Sequence, residues 1–224
     1  MLLSVFSSCF YVFADEGNKG ENEKCKRIAL TFDDGPCAKY DRRILDILDK
    51  YKIKATFFMV GENIEREPET AREIVSRGHE IGNHTYSHKK LGRLGRNELE
   101  SEISRTESII ERVCGKKAVL FRPPEGYVSD TVGSVVTSDG YRLVLWSIDT
   151  LDWKGTSSDA ICQKVMKGAK DGAIILCHDY IFGKSNTADA MEKFIPRLIN
   201  NGYEFVTVSE LLSDGTSSVN IALS

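Results

Sequence analysis

The sequence predicts one α/β domain in which parallel strands alternate with helices that cover the sheet. Two observations carry this prediction. Short apolar runs alternate with longer segments of helical periodicity along most of the chain. With 224 residues, of which 41% are hydrophobic, the chain has enough apolar material for one sizeable core. The alternation favours a parallel sheet, either open or closed as a barrel, and about seven strand and helix units fit.

The strand predictions are short apolar runs, namely Arg27 to Phe32, Ala55 to Val60, His79 to Asn83, Ala118 to Arg122, Tyr141 to Ile148, Ala173 to Cys177 and Glu204 to Val208. The helix predictions are Asp41 to Tyr51, Asn97 to Cys114, Ser157 to Lys170 and Thr187 to Asn200. In the second helix we expect Asn97 to be the cap and Glu100 to occupy the third helical position. If the sheet closes as a barrel, functional residues are expected after the carboxyl ends of the strands.

Both ends of the chain are predicted to lie outside the folded domain, which we assign to residues 26–213. Residues 1–14 are uncharged and largely apolar and end in a small residue, which suits a secretory signal peptide whose basic leading segment is missing. A buried terminal element is the alternative, and we favour export. Residues 15–25 are predicted to be a polar linker and residues 214–224 a flexible tail. The predicted location is therefore outside the cell or in its envelope.

Charge and cysteine content argue against several functional classes. The net charge of -3 provides no overall basic field for nucleic acid, so we expect no nucleic-acid partner. The six cysteines include no CxxC pair and no zinc-finger spacing. If Cys9 leaves with a signal peptide, five cysteines remain and at least one thiol is unpaired. No partner protein is evident, and we expect a monomer.

Two adjacent carboxylates, Asp33 and Asp34, end the first predicted strand and precede Gly35 and Pro36. An Asp-Gly-Pro sequence by itself is ordinary turn chemistry. Two neighbouring acids are costly, however, unless a cation or a base stabilises them. We therefore interpret the pair as a candidate site of chemistry, with an inert turn as the alternative.

His84 and His88 directly follow the third predicted strand. At this spacing both rings lie on one face of a helical turn and can reach one metal ion. The alternative is two unrelated surface residues, which is weakened because the chain has only four histidines. Two imidazoles and one carboxylate, with open positions for water, suit zinc or another divalent first-row ion. His79, at the start of the same strand, is interpreted as structural.

Three further polar clusters also follow predicted strands. The segment from Arg122 to Tyr127 contains two prolines, which make the loop rigid and fix the direction of Arg122. The other two clusters are Asp149 to Trp153 and Leu176 to Asp179. A lone histidine such as His178 is more often structural than catalytic. Five polar clusters at five strand ends nevertheless favour one shared site.

The five clusters resemble, in order, the five motifs of the polysaccharide deacetylases of carbohydrate esterase family four, which share a nodulation-type chitooligosaccharide deacetylase domain. The sequences TFDDGP, from Thr31 to Pro36, and HTYSH, from His84 to His88, are together highly specific. The resemblance extends from about Arg27 to Leu212. It implies a distorted, incomplete (β/α)7 barrel and identifies the folded domain as the catalytic domain.

The resemblance also implies one divalent metal ion held by Asp34, His84 and His88. Zinc is the first choice, and cobalt, nickel or manganese are alternatives because open sites of this composition accept them. The cation is expected to lower the pKa of the water that acts as nucleophile.

Four more positions receive catalytic roles from the resemblance. Asp33 is expected to be the general base, kept ionised by its charge partner Arg122. His178 is expected to protonate the departing sugar amine as general acid. Asp152 is expected to orient that imidazole and raise its pKa.

A further group of residues is assigned to substrate binding. The backbone N–H of Glu125 is expected to stabilise the oxyanion, and Leu176 and Trp153 to line the pocket for the acetyl methyl group. Pro124 and Tyr127 are expected to contact the substrate from the same rigid loop as Glu125. Many relatives carry an aromatic residue where this chain has Glu125, so this carboxylate is expected to alter substrate preference rather than catalysis.

The resemblance implies removal of acetyl groups from the N-acetylated sugars of a polysaccharide or oligosaccharide. Because an exported relative with a short stalk most often faces its own cell wall, the expected substrate is peptidoglycan N-acetylglucosamine or N-acetylmuramic acid. Chitooligosaccharide deacetylation and acetylxylan ester hydrolysis are the alternatives. A non-catalytic glycan-binding protein is an alternative of a different class.

Overall fold

A computed structural model describes residues 25–213. The predicted signal peptide, all but the last residue of the predicted linker, the tail and Cys9 lie outside the described residues. Within residues 25–213, no helix has the length and apolar character needed to cross a membrane. Cys37, Cys114, Cys162 and Cys177 form no disulfide bonds.

One parallel sheet of eight strands organises the described chain. The strands are β1 (Lys26–Asp33), β2 (Thr56–Met59), β3 (Glu80–Asn83), β4 (Leu120–Phe121), β5 (Arg142–Leu143), β6 (Ile148–Asp149), β7 (Ala173–His178) and β8 (Tyr203–Val206). Their order is β5-β4-β3-β2-β1-β7-β6, and β8 pairs with the first half of β1. The curled parallel sheet confirms the predicted distorted, incomplete barrel.

Eight α-helices accompany the sheet in residues 25–213. They are α1 (Ala38–Lys50), α2 (Gly61–Arg66), α3 (Pro68–Ser76), α4 (Arg96–Cys114), α5 (Asp130–Ser138), α6 (Ser158–Gly168), α7 (Thr187–Asn200) and α8 (Val208–Ser213). The predicted bounds of α7 are confirmed. The predicted cap of α4 is wrong, because Gly95 is the cap and the Glu98 carboxylate accepts a hydrogen bond from its N–H at 2.9 Å. Glu98 stands three positions after Gly95, the spacing at which its side chain can reach back to the N–H of the cap residue.

Alternation along β1 separates two apolar clusters. Ile28, Leu30 and Phe32 join the large cluster formed between the sheet and the helices. Ala29, which points to the opposite face, joins the smaller cluster, whose other buried members are Phe58, Leu120, Val144, Ile174, Val206, Val208 and Leu211. Val208 and Leu211 belong to α8, which thereby closes the amino-terminal end of the barrel interior. Asp33 continues the inward row at the carboxyl end, so the interior changes from apolar to polar along its axis.

The segment from Tyr141 to Ile148 is not one strand, and this prediction is wrong. It forms β5 and β6, which lie on opposite edges of the sheet. Residues 144–147 cross between these edges, with Val144 N–H donating to the Phe121 carbonyl at 2.8 Å and Ser147 N–H to the Ile174 carbonyl at 3.0 Å. Four extended residues span at most about 14 Å. The two edges therefore lie close together, and the crossing segment closes the barrel without completing it.

Candidate active site

The five polar clusters converge at the carboxyl edge of the sheet. Register pairing places Asp33 opposite His178 across β1 and β7. A cleft of about 460 Å³ at this edge is lined by Asp33, Asp34, His84, His88, Glu125, Trp146, Asp149, Trp153, Leu176 and His178. Eight of the twelve predicted site residues are in this lining. Trp146 and Asp149 were not predicted as site residues, although Asp149 belongs to the fourth cluster and Trp146 lies on the crossing segment.

The three predicted metal ligands lie together. Asp34 Oδ1 is 3.1 Å from His88 Nε2 and 3.4 Å from His84 Nε2, and one ligand atom from each residue lies within 4.8 Å of the others. Burial opposes ionisation of Asp34, but the two imidazoles outweigh this effect and lower the pKa of its carboxyl group. The donor set of two nitrogens and one ionised oxygen fits a divalent first-row cation.

The tautomer of His84 also fits a metal ligand. Its Nδ1 lies 2.7 Å from the carbonyl oxygen of Arg122, which can only accept a hydrogen bond. Nδ1 therefore carries the hydrogen, and in the neutral ring Nε2 presents its lone pair toward Asp34. Metal-binding histidines in proteins are typically held in this way through their second nitrogen.

The loops of the site contain most of the non-glycine residues of the described chain that have a left-handed backbone conformation. Six non-glycine residues in residues 25–213 have a left-handed φ, and five of them lie in the polar clusters, namely Asp34, Thr85, His88, Glu125 and Leu151. Such conformations cost about 1–3 kcal/mol each and persist where the surrounding structure fixes them. Their concentration at one sheet edge therefore indicates a functional site.

The histidine loop is held by buried polar side chains. The Asn83 carboxamide donates to the Ile103 carbonyl on α4 at 3.0 Å and accepts from the Thr85 N–H at 2.9 Å. The Glu102 carboxylate, also on α4, accepts from the N–H and the hydroxyl of Ser87 at 2.8 and 2.7 Å. These bonds flank His84 and His88, so α4 determines where both rings point.

Asp33 and Arg122 form a buried ion pair below the metal ligands. Arg122 is fully buried, and its Nη1 donates to Asp33 Oδ1 and to the Thr31 hydroxyl, both at 2.7 Å. Nε and Nη2 donate to the carbonyl oxygens of Val144 and Leu145 at 3.3 and 3.2 Å. The second carboxylate oxygen of Asp33 lies 3.8 Å from His84 Nε2 and faces the cleft. The pair thus keeps Asp33 beside the metal ligands with one oxygen engaged by Arg122.

His178 and Asp152 form a second pair on the other wall of the cleft. His178 Nδ1 lies 2.7 Å from Asp152 Oδ1, and Asp152 Oδ2 accepts from the His178 N–H at 2.8 Å and from the Thr187 hydroxyl at 2.7 Å. Burial opposes protonation of the imidazole, but the hydrogen bond and charge of Asp152 outweigh it and raise the pKa of His178 to about 9. The imidazole is therefore protonated at neutral pH.

The rim of the cleft combines aromatic and charged side chains. Leu176 is buried, whereas Trp153 is half exposed at 50%. The Glu125 carboxylate lies 3.4 Å from the Lys90 ammonium, and both side chains are mostly exposed. Because Lys90 follows the histidine loop, this ion pair joins the second and third polar clusters at the rim.

Pro124 and Tyr127 lie outside the cleft lining. Pro124 is buried, and Tyr127 packs its ring against Gly92, where an added Cβ would lie 2.9 Å from Tyr127 Cζ. The structure therefore places Pro124 in the interior and packs Tyr127 against the segment that follows the histidine loop. His79 lies at the amino end of β3, where its Nδ1 accepts from the Ala55 N–H at 3.3 Å and burial lowers its pKa to about 4.

Two buried acids that were not predicted as site residues lie behind the Asp34 loop, although Asp179 belongs to the fifth cluster. Asp41 on α1 and Asp179 after β7 are both buried, and Asp41 Oδ1 and both carboxylate oxygens of Asp179 have no hydrogen-bond partner. Burial raises the pKa of Asp41 to about 7 and the pKa of Asp179 well above its usual range. Asp179 also packs against Gly35, where an added Cβ would lie 2.1 Å from Asp179 Oδ2. The pair therefore requires glycine at position 35.

The fold and the cleft define an α/β half-barrel protein with a candidate single-metal centre between an aspartate–arginine pair and a histidine–aspartate pair. The chain belongs to the polysaccharide deacetylase family, whose model matches residues 20–144. The resemblance found in the five motifs is thereby confirmed.

Known relatives extend the match beyond residue 144. A peptidoglycan-N-acetylglucosamine deacetylase from Bacillus cereus is 43% identical over 193 residues, which cover 85% of this chain and 89% of that protein. A crystal structure of a peptidoglycan N-acetylglucosamine deacetylase in complex with 4-naphthalen-1-yl-N-oxidanyl-benzamide has a TM-score of 0.81 and 39% identity, covering 86% of this chain and 90% of that one. A family CE4 pseudoenzyme from Bacillus anthracis has a TM-score of 0.79 and 33% identity, covering 84% of this chain and 65% of that one.

Proposed function

We propose that this protein uses one divalent cation to hydrolyse the acetamide group of N-acetylglucosamine residues in peptidoglycan. One observation carries the proposal: a single cleft brings the Asp34, His84 and His88 cluster beside Asp33 and opposite His178. Amide hydrolysis needs a cation or oxyanion donor, a base and an acid within reach of one carbonyl group. The cleft offers side chains for each of these tasks.

Asp34, His84 and His88 hold the cation in this proposal. A bound divalent cation supplies Lewis-acid polarisation of the acetyl carbonyl and lowers the pKa of water. Zinc is the first choice for two imidazoles and one carboxylate, and cobalt, nickel or manganese remain alternatives. His84 is held for this task by its hydrogen bond to the Arg122 carbonyl.

Asp33 acts as the general base. It accepts a proton from the attacking water while the oxygen of that water bonds to the acetyl carbonyl carbon. The Arg122 guanidinium, 2.7 Å from Asp33 Oδ1, holds the carboxylate in place and leaves its second oxygen facing the cleft for this step. The backbone N–H of Glu125 donates to the carbonyl oxygen as negative charge develops on it.

His178 acts as the general acid. Its Nε2 proton passes to the amide nitrogen while the C–N bond breaks, which releases acetate and leaves a free sugar amine. Asp152, hydrogen-bonded to Nδ1 at 2.7 Å, orients the ring and keeps it charged at neutral pH. Leu176, Trp146 and Trp153 give the cleft apolar surface for the acetyl methyl group.

Peptidoglycan is proposed as the substrate because relatives of both kinds, by sequence and by structure, are named for it. A cell-wall polymer also agrees with the predicted export of the chain, so we propose that the protein acts outside the cell or in its envelope. We propose that it acts as a monomer.

The proposal is tested by measuring acetate release by the purified full chain, with zinc or cobalt added and with chelator. Peptidoglycan, chitopentaose and acetylated xylan are compared in parallel. The matched variant is Asp34→Asn, in which a neutral amide of the same size replaces the carboxylate ligand. We expect chelator-sensitive release that is fastest on peptidoglycan. Faster acetate release from xylan would show that the protein hydrolyses acetate esters in preference to acetamides, and would overturn the proposed reaction. No release from any substrate, despite bound metal, would favour a glycan-binding role.

A further inference from the structure

A second cavity, of about 570 Å³, lies between the first two turns of α1 and residues 183–188 at the start of α7. β1 and β7 are neighbouring parallel strands, and α1 and α7 follow their carboxyl ends. The cavity therefore lies near the sheet edge that carries the catalytic cleft. The Tyr40 hydroxyl joins its two walls, because it donates to the carbonyl oxygens of Ile181 and Gly183.

Three cationic side chains line this cavity, which we call the cationic pocket: Lys39, Arg43 and Lys184. None of its lining residues is acidic. Asp189, just outside the lining, pairs with Arg43 at 2.6 Å and offsets one of the three charges. The amino ends of α1 and α7 add partial positive charge at the same place. A chain with a net charge of -3 thus concentrates positive charge beside its catalytic cleft.

The floor of the cationic pocket is partly apolar. Ile44 and Ala188 contribute to the lining, and the Tyr40 ring lies under the Lys39 ammonium at 4.7 Å. This combination favours a ligand that carries carboxylates on a framework with small apolar groups, such as a short acidic peptide. A neutral glycan strand offers no charge for these side chains to bind.

We propose that the cationic pocket binds carboxylates of the short peptides attached to the glycan strands of peptidoglycan. This inference rests on the proposed function, because it concerns a second contact between the same enzyme and the same polymer. The pocket then favours glycan strands that still carry their peptides over strands from which the peptides have been removed.

The test compares soluble peptidoglycan fragments with the same fragments after an amidase has removed their peptides, which leaves one carboxylate on the glycan at each cleaved amide. The measured quantity is the ratio of kcat/KM for acetate release from intact and stripped fragments. We expect wild-type protein to prefer intact fragments, with a ratio that falls as salt rises, because exposed ion pairs are screened. The double variant Lys39→Glu, Lys184→Glu is expected to lower this ratio about tenfold, mainly through KM.

The matched control is Lys164→Glu, Lys167→Glu, which changes net charge equally on the exposed face of α6 and is expected to keep the wild-type ratio. Thermal unfolding of all variants and cosedimentation with insoluble peptidoglycan provide readouts that do not depend on turnover. Equal ratios for wild type and the Lys39, Lys184 variant, or an equal drop in the α6 control, would overturn the proposal. Absence of acetate release from every fragment by wild type would instead overturn the proposed function.

Discussion

The two walls of the catalytic cleft are stabilised in different ways. On the wall formed after β1, β3 and β4, Asp33 and Asp34 place two carboxylates beside one guanidinium, that of Arg122. On the wall formed after β6 and β7, one imidazole faces one carboxylate, and Thr187 completes the contacts of that carboxylate. On the first wall two carboxylates share one guanidinium, whereas on the second the charges of His178 and Asp152 balance each other.

In the proposed function, this difference separates metal binding from acid catalysis. The first wall needs a cation to offset its remaining carboxylate, because like charges at short range are costly. The second wall keeps its geometry through its own hydrogen bonds. Variants on the two walls should therefore differ in metal content even where both lose activity.

The largest effect is expected from His84→Ala. Loss of one of three protein ligands removes the cation, and with it several kcal/mol of transition-state stabilisation. Activity should fall about 10⁴-fold or more, and the purified variant should contain no stoichiometric metal. Elemental analysis beside acetate release checks both. A His84→Ala protein that retains metal would contradict the ligand assignment.

A nearly equal loss of activity is expected from Asp33→Asn, without loss of metal. The amide keeps the size of the carboxylate and still accepts from Arg122, but it takes no proton from water. Turnover should fall about 10³-fold to 10⁴-fold. Elemental analysis and acetate release again measure the two quantities. An active Asp33→Asn variant would show that Asp33 is not the general base.

A smaller loss of activity is expected from His178→Ala, on the wall formed after β6 and β7. Turnover should fall about 10²-fold to 10³-fold while metal content is unchanged. In the wild type, kcat should decline as pH rises through about 9, because His178 loses the proton that it donates. The variant should lack this decline. Loss of metal from His178→Ala would show that the two walls are not independent.

A tenfold to hundredfold loss of metal affinity is expected from Glu102→Ala, about the usual effect of removing a side chain that holds a ligand. The carboxylate accepts two hydrogen bonds from Ser87 between the two histidines. Glu102→Gln can still accept from the N–H and donate to the hydroxyl, so its loss should be smaller. Competition with a chelator measures the affinity. Glu100→Ala, on the same helix, is the control and should bind metal as the wild type does.

An effect on stability rather than on activity is expected from the buried Asp41 and Asp179 behind the Asp34 loop. Burial raises the pKa of Asp41 to about 7 in the folded protein, above the usual value of 3.8 for an aspartate. The folded state therefore binds more protons between these pH values, and stability should fall as pH rises from about 4 to 7. Asp41→Asn should flatten this slope by at most about 1.4 kcal/mol per pH unit. Denaturant unfolding at several pH values measures it, and an unchanged slope would refute the raised pKa.

Sequence patterns predicted the frame of the fold and most of the cleft. Strand positions followed from apolar runs, and the metal and acid residues followed from motifs at strand ends. The break between β5 and β6 was not predictable, because residues 141–148 read as one apolar run and the break depends on carbonyl groups that meet Arg122. Glu102 and Thr187 were also missed, since they lie on helices far along the chain from the side chains that they position.

The crossing segment and Asp33, the proposed base, share one guanidinium. Arg122 donates to Asp33 and, through its remaining nitrogens, to the carbonyl groups of Val144 and Leu145. A lysine has a single nitrogen and offers no planar fork, so it cannot reproduce this pattern. Arg122 therefore supports both the crossing segment and the Asp33 carboxylate. A descendant that abandoned hydrolysis would be free to change Asp33 or His178, but it would still need Arg122 to hold the carbonyl groups of the crossing segment.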